Sequence, residues 1–320
     1  MPLVDKQEAQ AGTRRLQFRH TSAKSILSKT SGFIAEAGFT HSLNPARNCT
    51  FGCTYCYVPT MRVQAGLQPE DWRRWGQFTT FKSNAAELLR KQLRPGQIIY
   101  CSPLVDPYQP GEEDERLMER ILRELIESPP RVFVIQTRGP LIVRDAPLLA
   151  KLSRRTTVRV SVSLTTNRED VRRMYEPHCA SIADRVSAIK ALREAGITVH
   201  ATLAPLLPCD PEQLAELALQ ATDQDVIGDP FHVREVKKRG ATTRDEAARI
   251  SARQGFGSWH EPAFQSVTVG VIRDYVETAG RRFEVGPRGF SWLARPAEPP
   301  FLTASRGQVP ERRVSTRRAP

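Results

Sequence analysis

Residues 44–57 of this chain read Asn-Pro-Ala-Arg-Asn-Cys-Thr-Phe-Gly-Cys-Thr-Tyr-Cys-Tyr, and they place Cys49, Cys53 and Cys56 in one short segment. Three thiolates at this Cys-x3-Cys-x2-Cys spacing can surround one small inorganic core. Six cysteines among 320 residues do not make a disulfide framework. We therefore expect a metal or cluster site in a reducing compartment, the cytoplasm.

Two kinds of metal centre are compatible with this segment. A structural zinc ion needs four protein ligands in a closed tetrahedron, and zinc fingers present them as two separated pairs. The candidates for a fourth zinc ligand are His41, Cys101, Cys179 and Cys209. A four-iron cluster held by three cysteines instead leaves one iron open to a non-protein ligand, and chemistry needs such an open position. The missing second pair favours the cluster.

Beyond this segment, short apolar runs alternate with stretches of helical period. The predicted strands are residues 98–100, 132–135, 158–164, 197–203 and 226–227. The predicted helices are residues 116–127, 146–152, 184–195, 210–221 and 245–254. Repeated strand–helix units of this spacing imply parallel strands with right-handed crossovers. The sequence therefore predicts an α/β fold, a closed or partial (β/α) barrel.

The chain is strongly basic, with 47 lysines and arginines against 35 acidic residues and a net charge of +12. Such a balance is typical of proteins that bind nucleic acid or a membrane surface. Residues 1–31 and 295–320 each carry a net +4, so only +4 remains between them. No apolar run approaches the roughly 18 residues that span a bilayer, and we expect no membrane partner.

The same patterns divide the chain into four segments. We predict a flexible basic segment over residues 1–31, a barrel over 32–228, a C-terminal extension over 229–294 and a disordered basic tail over 295–320. The extension contains the basic run 237–239 and is expected to pack against the mouth of the barrel. The tail is rich in proline and arginine and lacks apolar periodicity.

The cysteine spacing, ending in Tyr-Cys-Tyr ahead of successive β/α units, resembles the signature loop of radical S-adenosylmethionine (SAM) enzymes. Four further segments resemble landmarks of the spore photoproduct lyase-like group, which is commonly labelled DNA repair photolyase. They are residues 106–110, 141–145, 176–177 and 204–205. The resemblance extends over about residues 35–225 and implies a partial (β/α)6 radical SAM barrel.

This resemblance implies a mechanism and a set of cofactors. Cys49, Cys53 and Cys56 would hold a [4Fe-4S] cluster, and its open iron would bind SAM. An electron from the cluster would release a 5′-deoxyadenosyl radical, which abstracts hydrogen from an unreactive carbon. A ferredoxin or flavodoxin would supply the electron, and DNA is the implied partner.

The resemblance also implies roles in SAM binding for three residues at strand ends. Arg138 matches a position that contacts the SAM carboxylate, although relatives usually carry lysine there. The hydroxyl of Ser163 can reach SAM, and Ser161, Ser163 and Thr165 share one face of a strand by period two. Ala204 matches a position whose backbone lies near the adenine. The carboxyl ends of barrel strands are where such enzymes place their chemistry.

Cys101 raises the question of substrate. Spore photoproduct lyases have a cysteine at a similar point that returns hydrogen to the product radical, and a thiol suits this because its S–H bond is weak. Tyr55 and Tyr57 match tyrosines that could relay hydrogen between that thiol and the adenosyl group. The structural alternative is a small buried thiol at a strand end. We expect purely structural roles for Cys179 and Cys209.

Three functions are consistent with these observations. The first is a cluster- and SAM-dependent radical enzyme that repairs or modifies DNA in the manner of a lyase. The second is radical modification of a protein, a peptide or a small metabolite in the same barrel. The third is a non-catalytic zinc protein that binds nucleic acid through its basic tails.

Overall fold

A computed structural model describes residues 15–60, 71, 74–232 and 244–297. Its strands are β1 (Gln17–Thr21), β2 (Leu27–Lys29), β3 (His41–Leu43), β4 (Ala46–Arg47), β5 (Phe78–Lys82), β6 (Ile98–Cys101), β7 (Val132–Thr137), β8 (Thr157–Ser163), β9 (Val199–Leu203), β10 (Val226–Gly228) and β11 (Phe283–Val285).

Helices alternate with most of these strands. They are α1 (Gly32–Glu36), α2 (Ala85–Gln92), α3 (Glu112–Glu115), α4 (Leu117–Glu127), α5 (Ala146–Ser153), α6 (Glu169–Tyr175), α7 (Ile182–Glu194), α8 (Pro211–Ala221), α9 (Asp245–Arg253), α10 (Pro262–Thr278) and α11 (Gly286–Ala294). Short 3-10 helices cover Val58–Thr60, Pro140–Asp145 and Gly257–His260. Every strand and helix predicted from periodicity is present, with bounds that agree within about two residues.

The main sheet contains eight of the described strands in the order β11-β10-β9-β8-β7-β6-β3-β2. All neighbouring pairs from β3 to β11 are parallel, and β2 is antiparallel to β3. Parallel strands are covered by helices, which explains the continuous apolar run Val132–Ile135 in β7. The α/β fold predicted from the sequence is confirmed.

Two segments expected to lie outside the barrel contribute strands to the fold. Residues 17–21 and 27–29, within the segment expected to be flexible, form β1 and β2. β11, within the predicted C-terminal extension, adds to the main sheet beside β10. These strands are three to five residues long and pair with distant segments, so local periodicity could not reveal them.

A smaller sheet lies beside the cysteine loop. Its order is β1-β5-β4, with β1 parallel and β4 antiparallel to β5. Phe81 on β5 is buried and faces Phe18 on β1, with ring centroids 6.1 Å apart. This sheet therefore fixes β4, the strand that leads directly into the cysteines.

The C-terminal part of the described chain packs against the barrel strands and helices. α10 packs on α8, and α11 packs on β10 and α1. The basic run 237–239 and residues 298–320 lie outside the described residues, as do residues 1–14. Within the described chain, no helix combines the length and the apolar character that crossing a membrane requires.

Candidate functional site

The three cysteines lie in a compact loop between β4 and the 3-10 helix Val58–Thr60. Cys49 and Cys53 are buried and Cys56 is half-buried. Asn48 and Gly52 turn the loop with left-handed φ values of 65° and 58°, a conformation that asparagine and glycine adopt most readily. The loop is thus built to hold its thiols inward.

Gln109 clamps the start of this loop, a role that the sequence analysis missed. Its Oε1 accepts hydrogen bonds from the Thr50 amide (2.7 Å) and the Thr79 hydroxyl (2.6 Å). Its Nε2 donates to the carbonyl of Asn48 (3.3 Å). A polar side chain that is 1% exposed must have such partners. The feature of the sequence that could have indicated this role is the position of Gln109 within the landmark segment 106–110.

Arg138 follows β7 and reaches the cysteine loop. Its Nη1 donates to Cys53 Sγ (3.3 Å) and to Glu176 Oε1 (2.9 Å), and it also contacts the Tyr55 hydroxyl. Asp106 fixes this strand end, because its carboxylate accepts from the Arg138 amide (2.9 Å) and the Thr137 hydroxyl (2.7 Å). The structure therefore brings the predicted residues Arg138, Cys53 and Tyr55 together.

Glu176 is the buried anion of the site. It accepts hydrogen bonds from Tyr55, from Thr165 (3.0 Å) and from Arg185, in addition to Arg138. Burial alone would raise its pKa, but the charges of Arg185 and Arg138 lower the pKa to about 2. The carboxylate is therefore ionised. Glu176 alone does not balance two guanidinium groups, so positive charge remains at Arg138 for a further anionic group, such as the Cys53 thiolate or a ligand carboxylate.

Arg185 lies in the first turn of α7 and belongs to the same buried ion-pair network. Ser181 is the residue that caps α7, accepting from the Asp184 amide (3.1 Å). Arg185 instead points inward, is fully buried and donates to the Ser163 carbonyl (3.2 Å) as well as to Glu176. The Glu176–Arg185 pair braces the region where Arg138 meets the cysteines.

Cys179, for which we expected a structural role, lies at the site. Its Sγ is 3.6 Å from Cys53 Sγ. The hydrogen bond from Cys179 and the charge of Arg138 lower the pKa of Cys53, although burial opposes them. Burial raises the pKa of Cys56 to about 12. Cys53 is thus the thiol whose thiolate the protein itself stabilises.

The remaining predicted residues lie at or next to the carboxyl ends of neighbouring strands. Cys101 ends β6, is 0% exposed and contacts Ser102 Oγ (3.5 Å), and burial raises its pKa to about 12. Ser163 ends β8, and Ala204 follows β9 ahead of a cis peptide bond. Because parallel strands end at one edge, the structure gathers these residues and Arg138 on the same side of the sheet.

The proposed tyrosine relay is not joined by direct hydrogen bonds. The Tyr55 hydroxyl donates to Glu176, and the Tyr57 hydroxyl donates to the Pro103 carbonyl (2.6 Å). Neither of these hydrogen bonds involves Cys101. Any transfer between these groups would therefore need a rearrangement or a bound molecule between them.

The donor set fits a four-iron cluster better than a single ion. Within the described residues, no three histidine, cysteine or acidic side chains are grouped as one metal ion requires. Cysteines that share a four-iron cluster each bind a different iron, so their sulfurs lie apart. Asn48, beside Cys49, also carries a buried Nδ2 without a hydrogen-bond partner, a donor that cluster sulfur can satisfy.

A parallel α/β sheet with a three-cysteine loop at its carboxyl edge defines a class of iron–sulfur enzymes. The family model of the radical SAM superfamily matches residues 43–221, and the chain belongs to this superfamily. It is therefore an enzyme, and membership implies a [4Fe-4S] cluster and SAM as cofactors.

Curated relatives share this core. An uncharacterized protein of Mycobacterium tuberculosis is 29% identical over 197 residues, which are 60% of this chain and 57% of the relative. An uncharacterized protein of Methanocaldococcus jannaschii is 28% identical over 171 residues, or 53% of this chain and 62% of the relative. The chain thus matches less than two thirds of the length of either protein.

Solved structures of spore photoproduct lyase have the same fold. A lyase variant with bound AdoMet and dinucleoside spore photoproduct superposes with a TM-score of 0.56 and 12% identity, covering 84% of this chain and 81% of the lyase. A second variant gives a TM-score of 0.54 and 13% identity over the same shares. The resemblance stated from the sequence is confirmed at the level of fold.

Proposed function

We propose that this protein is a [4Fe-4S]- and SAM-dependent radical enzyme that repairs or modifies DNA by lyase-type chemistry. Cys49, Cys53 and Cys56 are its cluster ligands. The observation that carries the proposal is the contact between Arg138 and Cys53, at 3.3 Å, beside the carboxyl edge of the parallel sheet. It joins the metal-binding loop to a cation suited to the carboxylate of SAM.

The chain's own residues prepare this site. Arg138 presents its guanidinium to the carboxylate, while Glu176 and Asp106 hold that guanidinium and its backbone in place. Ser163 and Ala204 lie at neighbouring strand ends, where they would contact the rest of bound SAM. When bound, the reduced cluster and SAM supply a 5′-deoxyadenosyl radical that abstracts hydrogen from the substrate. Burial around Tyr55 excludes water from this chemistry.

Two observations support DNA as the substrate. The fold matches spore photoproduct lyase over 84% of the chain. A buried thiol, Cys101, ends strand β6 at the same edge as Arg138, and it is the proposed donor of hydrogen to a product radical. A ferredoxin or flavodoxin is the proposed reductant.

Anaerobic reconstitution tests the enzyme class. The protein is loaded with iron and sulfide, and 5′-deoxyadenosine is then measured after addition of SAM and a reductant. We expect cluster iron and SAM cleavage, both lost in Cys53→Ala and both retained in the control Cys209→Ala. Stoichiometric zinc without iron or sulfide would contradict the proposal and favour the nucleic-acid-binding zinc protein.

Incubation with ultraviolet-irradiated DNA tests the substrate. We expect loss of the thymine photoproduct in wild type, and diversion of the product radical to other products in Cys101→Ala. Unchanged photoproduct levels together with normal 5′-deoxyadenosine formation would reject DNA lyase chemistry. The enzyme class would then stand, and a protein, peptide or small-metabolite substrate would replace DNA.

A further inference from the structure

Arg47 and Lys82 lie together on the outer face of the small sheet. β4 and β5 are antiparallel, with Arg47 opposite Thr80 and Lys82 two residues further along β5. Residues two apart on a strand share a face, and diagonal neighbours lie within reach of long side chains. The two cations are therefore diagonal neighbours on one face.

No carboxylate neutralises this pair within the described chain. Arg19, a third cation on the same face, is already paired with Asp71 (3.3 Å). Lys82 Nζ donates to the carbonyl of Asn44 (2.7 Å), and among the residues that the structure describes no acidic side chain forms a salt bridge with Lys82 or Arg47. Burial and the charge of Arg47 lower the pKa of Lys82 to about 8. Like charges held together in this way are relieved by a bound anion.

Arg47 and Lys82 lie near the cysteine loop and the carboxyl edge of the main sheet. Asn44 joins it to the edge of the main sheet, because its carbonyl accepts from Lys82 while its Oδ1 accepts from the Leu104 amide (3.2 Å). Leu104 follows the strand that ends at Cys101, and Arg47 is two residues before Cys49. An anion held here would lie between the cysteine loop and the loop after β6.

We propose that Arg47 and Lys82 form a phosphate-binding site that positions a backbone phosphodiester of the substrate strand. The inference rests on the proposed function, since it names the part of a nucleic acid that the enzyme holds. Arginine binds two phosphate oxygens at once and lysine adds a point charge. Such contacts fix the register of a nucleic acid without reading its sequence.

Binding of a short fluorescein-labelled oligothymidylate to the reconstituted protein tests this site. Anisotropy is measured over a series of salt concentrations. We expect the double variant Arg47→Gln/Lys82→Gln to bind about tenfold more weakly, with a salt slope reduced by about 0.7 for one lost phosphate contact. Arg47→Lys keeps the charge and retains most of the slope. The control Lys151→Gln/Arg154→Gln removes two exposed cations at the C-terminal end of α5 and leaves binding unchanged.

A second arm uses thymidine 5′-monophosphate and separates the site from the proposed substrate. If wild type ignores the oligonucleotide but binds the monophosphate through Arg47 and Lys82, the phosphate site stands and DNA is rejected. If the oligonucleotide binds and the double variant keeps the full affinity and slope, the site is rejected while the proposed function stands. Binding of neither probe rejects the site.

Asn48 carries a second inference, from an independent observation. It is 1% exposed, and its Oδ1 accepts from the Cys49 amide (2.8 Å), which fixes the orientation of the side-chain amide. Its Nδ2 is buried and has no hydrogen-bond partner among the described residues. A buried donor without a partner is destabilising, so a partner is expected when the site is complete.

We infer that Asn48 is a positioning residue whose Nδ2 donates a hydrogen bond to sulfur at the bound cluster. Hydrogen bonds to cluster sulfurs stabilise the more negative, reduced state and so raise the reduction potential. Glycine at this position accepts the left-handed backbone without a side chain, and aspartate keeps the acceptor but loses the donor. Both variants therefore remove the donor without straining the loop.

Redox titration followed by electron paramagnetic resonance tests this inference. We expect Asn48→Gly to lower the equilibrium constant for cluster reduction about tenfold, which is about 59 mV for a one-electron couple, and Asn48→Asp to lower it further. The distant control Asn167→Asp leaves the potential unchanged. Variants that bind the full cluster at the wild-type potential would overturn the inference.

Discussion

Glu176 shows how one residue organises the site. Its carboxylate joins Tyr55 of the cysteine loop, Arg138 after β7 and Arg185 of α7. The Glu-Pro pair was visible in the sequence as a landmark, but its partner Tyr55 lies 121 positions away. Only the folded chain shows that this glutamate pairs with two guanidinium groups, that of the fully buried Arg185 and that of Arg138, whose side chain is 16% exposed.

Replacing this carboxylate is expected to be costly. Glu176→Gln leaves Arg138 and Arg185 buried without their anion, and breaking a buried pair destabilises by about 3–5 kcal/mol. Urea unfolding of the reconstituted protein measures the loss. The control Asp170→Asn removes a surface ion pair between Arg168 and Asp170, whose side chain is 58% exposed. This change should cost less than about 1 kcal/mol. Equal losses in the two variants would show that Glu176 does not hold the site.

His200 makes stability depend on pH. It is 4% exposed, its Nδ1 donates to the Asp225 carbonyl (3.1 Å), and burial lowers its pKa to about 4. The unfolded chain takes up the proton near pH 6.5 while the folded chain does not, so stability falls as pH drops through this window. We expect a loss of about 2 kcal/mol between pH 8 and pH 5.

Urea midpoints at the two pH values, compared between wild type and His200→Gln, measure this contribution. The variant should lose less stability on acidification. His20→Gln, which removes a side chain that is 51% exposed, serves as the control and should follow wild type. If His200→Gln loses as much stability on acidification as wild type, His200 is not the cause of the pH dependence.

At the scale of elements, the end of β7 is fixed by close packing against the loop after β6. Asp106 bonds the backbone of Arg138, and Gly139 comes so near Tyr108 that a Cβ atom would lie 2.4 Å from the Tyr108 carbonyl oxygen. The strand itself was predictable from its apolar run. The need for a glycine at position 139 was not predictable, because it arises from the close approach of Tyr108, about thirty residues earlier in the chain.

Two alanine substitutions should therefore have opposite effects. Gly139→Ala forces backbone apart and is expected to destabilise by about 1–3 kcal/mol, with weaker SAM binding because Arg138 shifts. Gly270→Ala lies in α10 with nothing within 4 Å of the new Cβ, and should stabilise by about 0.5–1 kcal/mol. Thermal unfolding compares the two. An unchanged melting temperature in Gly139→Ala would mean that the loop after β6 moves aside without loss of stability.

At the scale of the whole molecule, the C-terminal part of the chain closes over the site. Phe231 is 1% exposed, and its ring packs against Tyr55 at 6.0 Å, Tyr175 at 5.6 Å and His260 at 4.6 Å between centroids. From the sequence, residues beyond 228 are expected to form an extension of the barrel. In the structure they supply both a wall for Tyr55 and the strand β11.

Removing the Phe231 ring tests whether the C-terminal part of the chain supports the cysteine loop through Tyr55. Phe231→Ala deletes a buried ring and should cost about 3–5 kcal/mol, while loosening Tyr55 beside the cysteines. Phe264→Ala, at a position that is 36% exposed, should cost less than about 1 kcal/mol. Urea unfolding and iron content after reconstitution are the readouts. Normal iron content with unchanged stability in Phe231→Ala would argue against the coupling.

The sequence by itself determined the family, the cysteine loop and the alternating strands and helices between residues 98 and 254. These properties are local, since ligand spacing and hydrophobic periodicity extend over a few turns or one strand. The tertiary structure alone decided that Cys179 meets Cys53, that Arg185 faces Glu176 and that Arg47 and Lys82 lie together beside the site. Such contacts form because the carboxyl ends of parallel strands lie together at one edge of the sheet. That arrangement is set by the packing of the whole chain and is not encoded in any short segment.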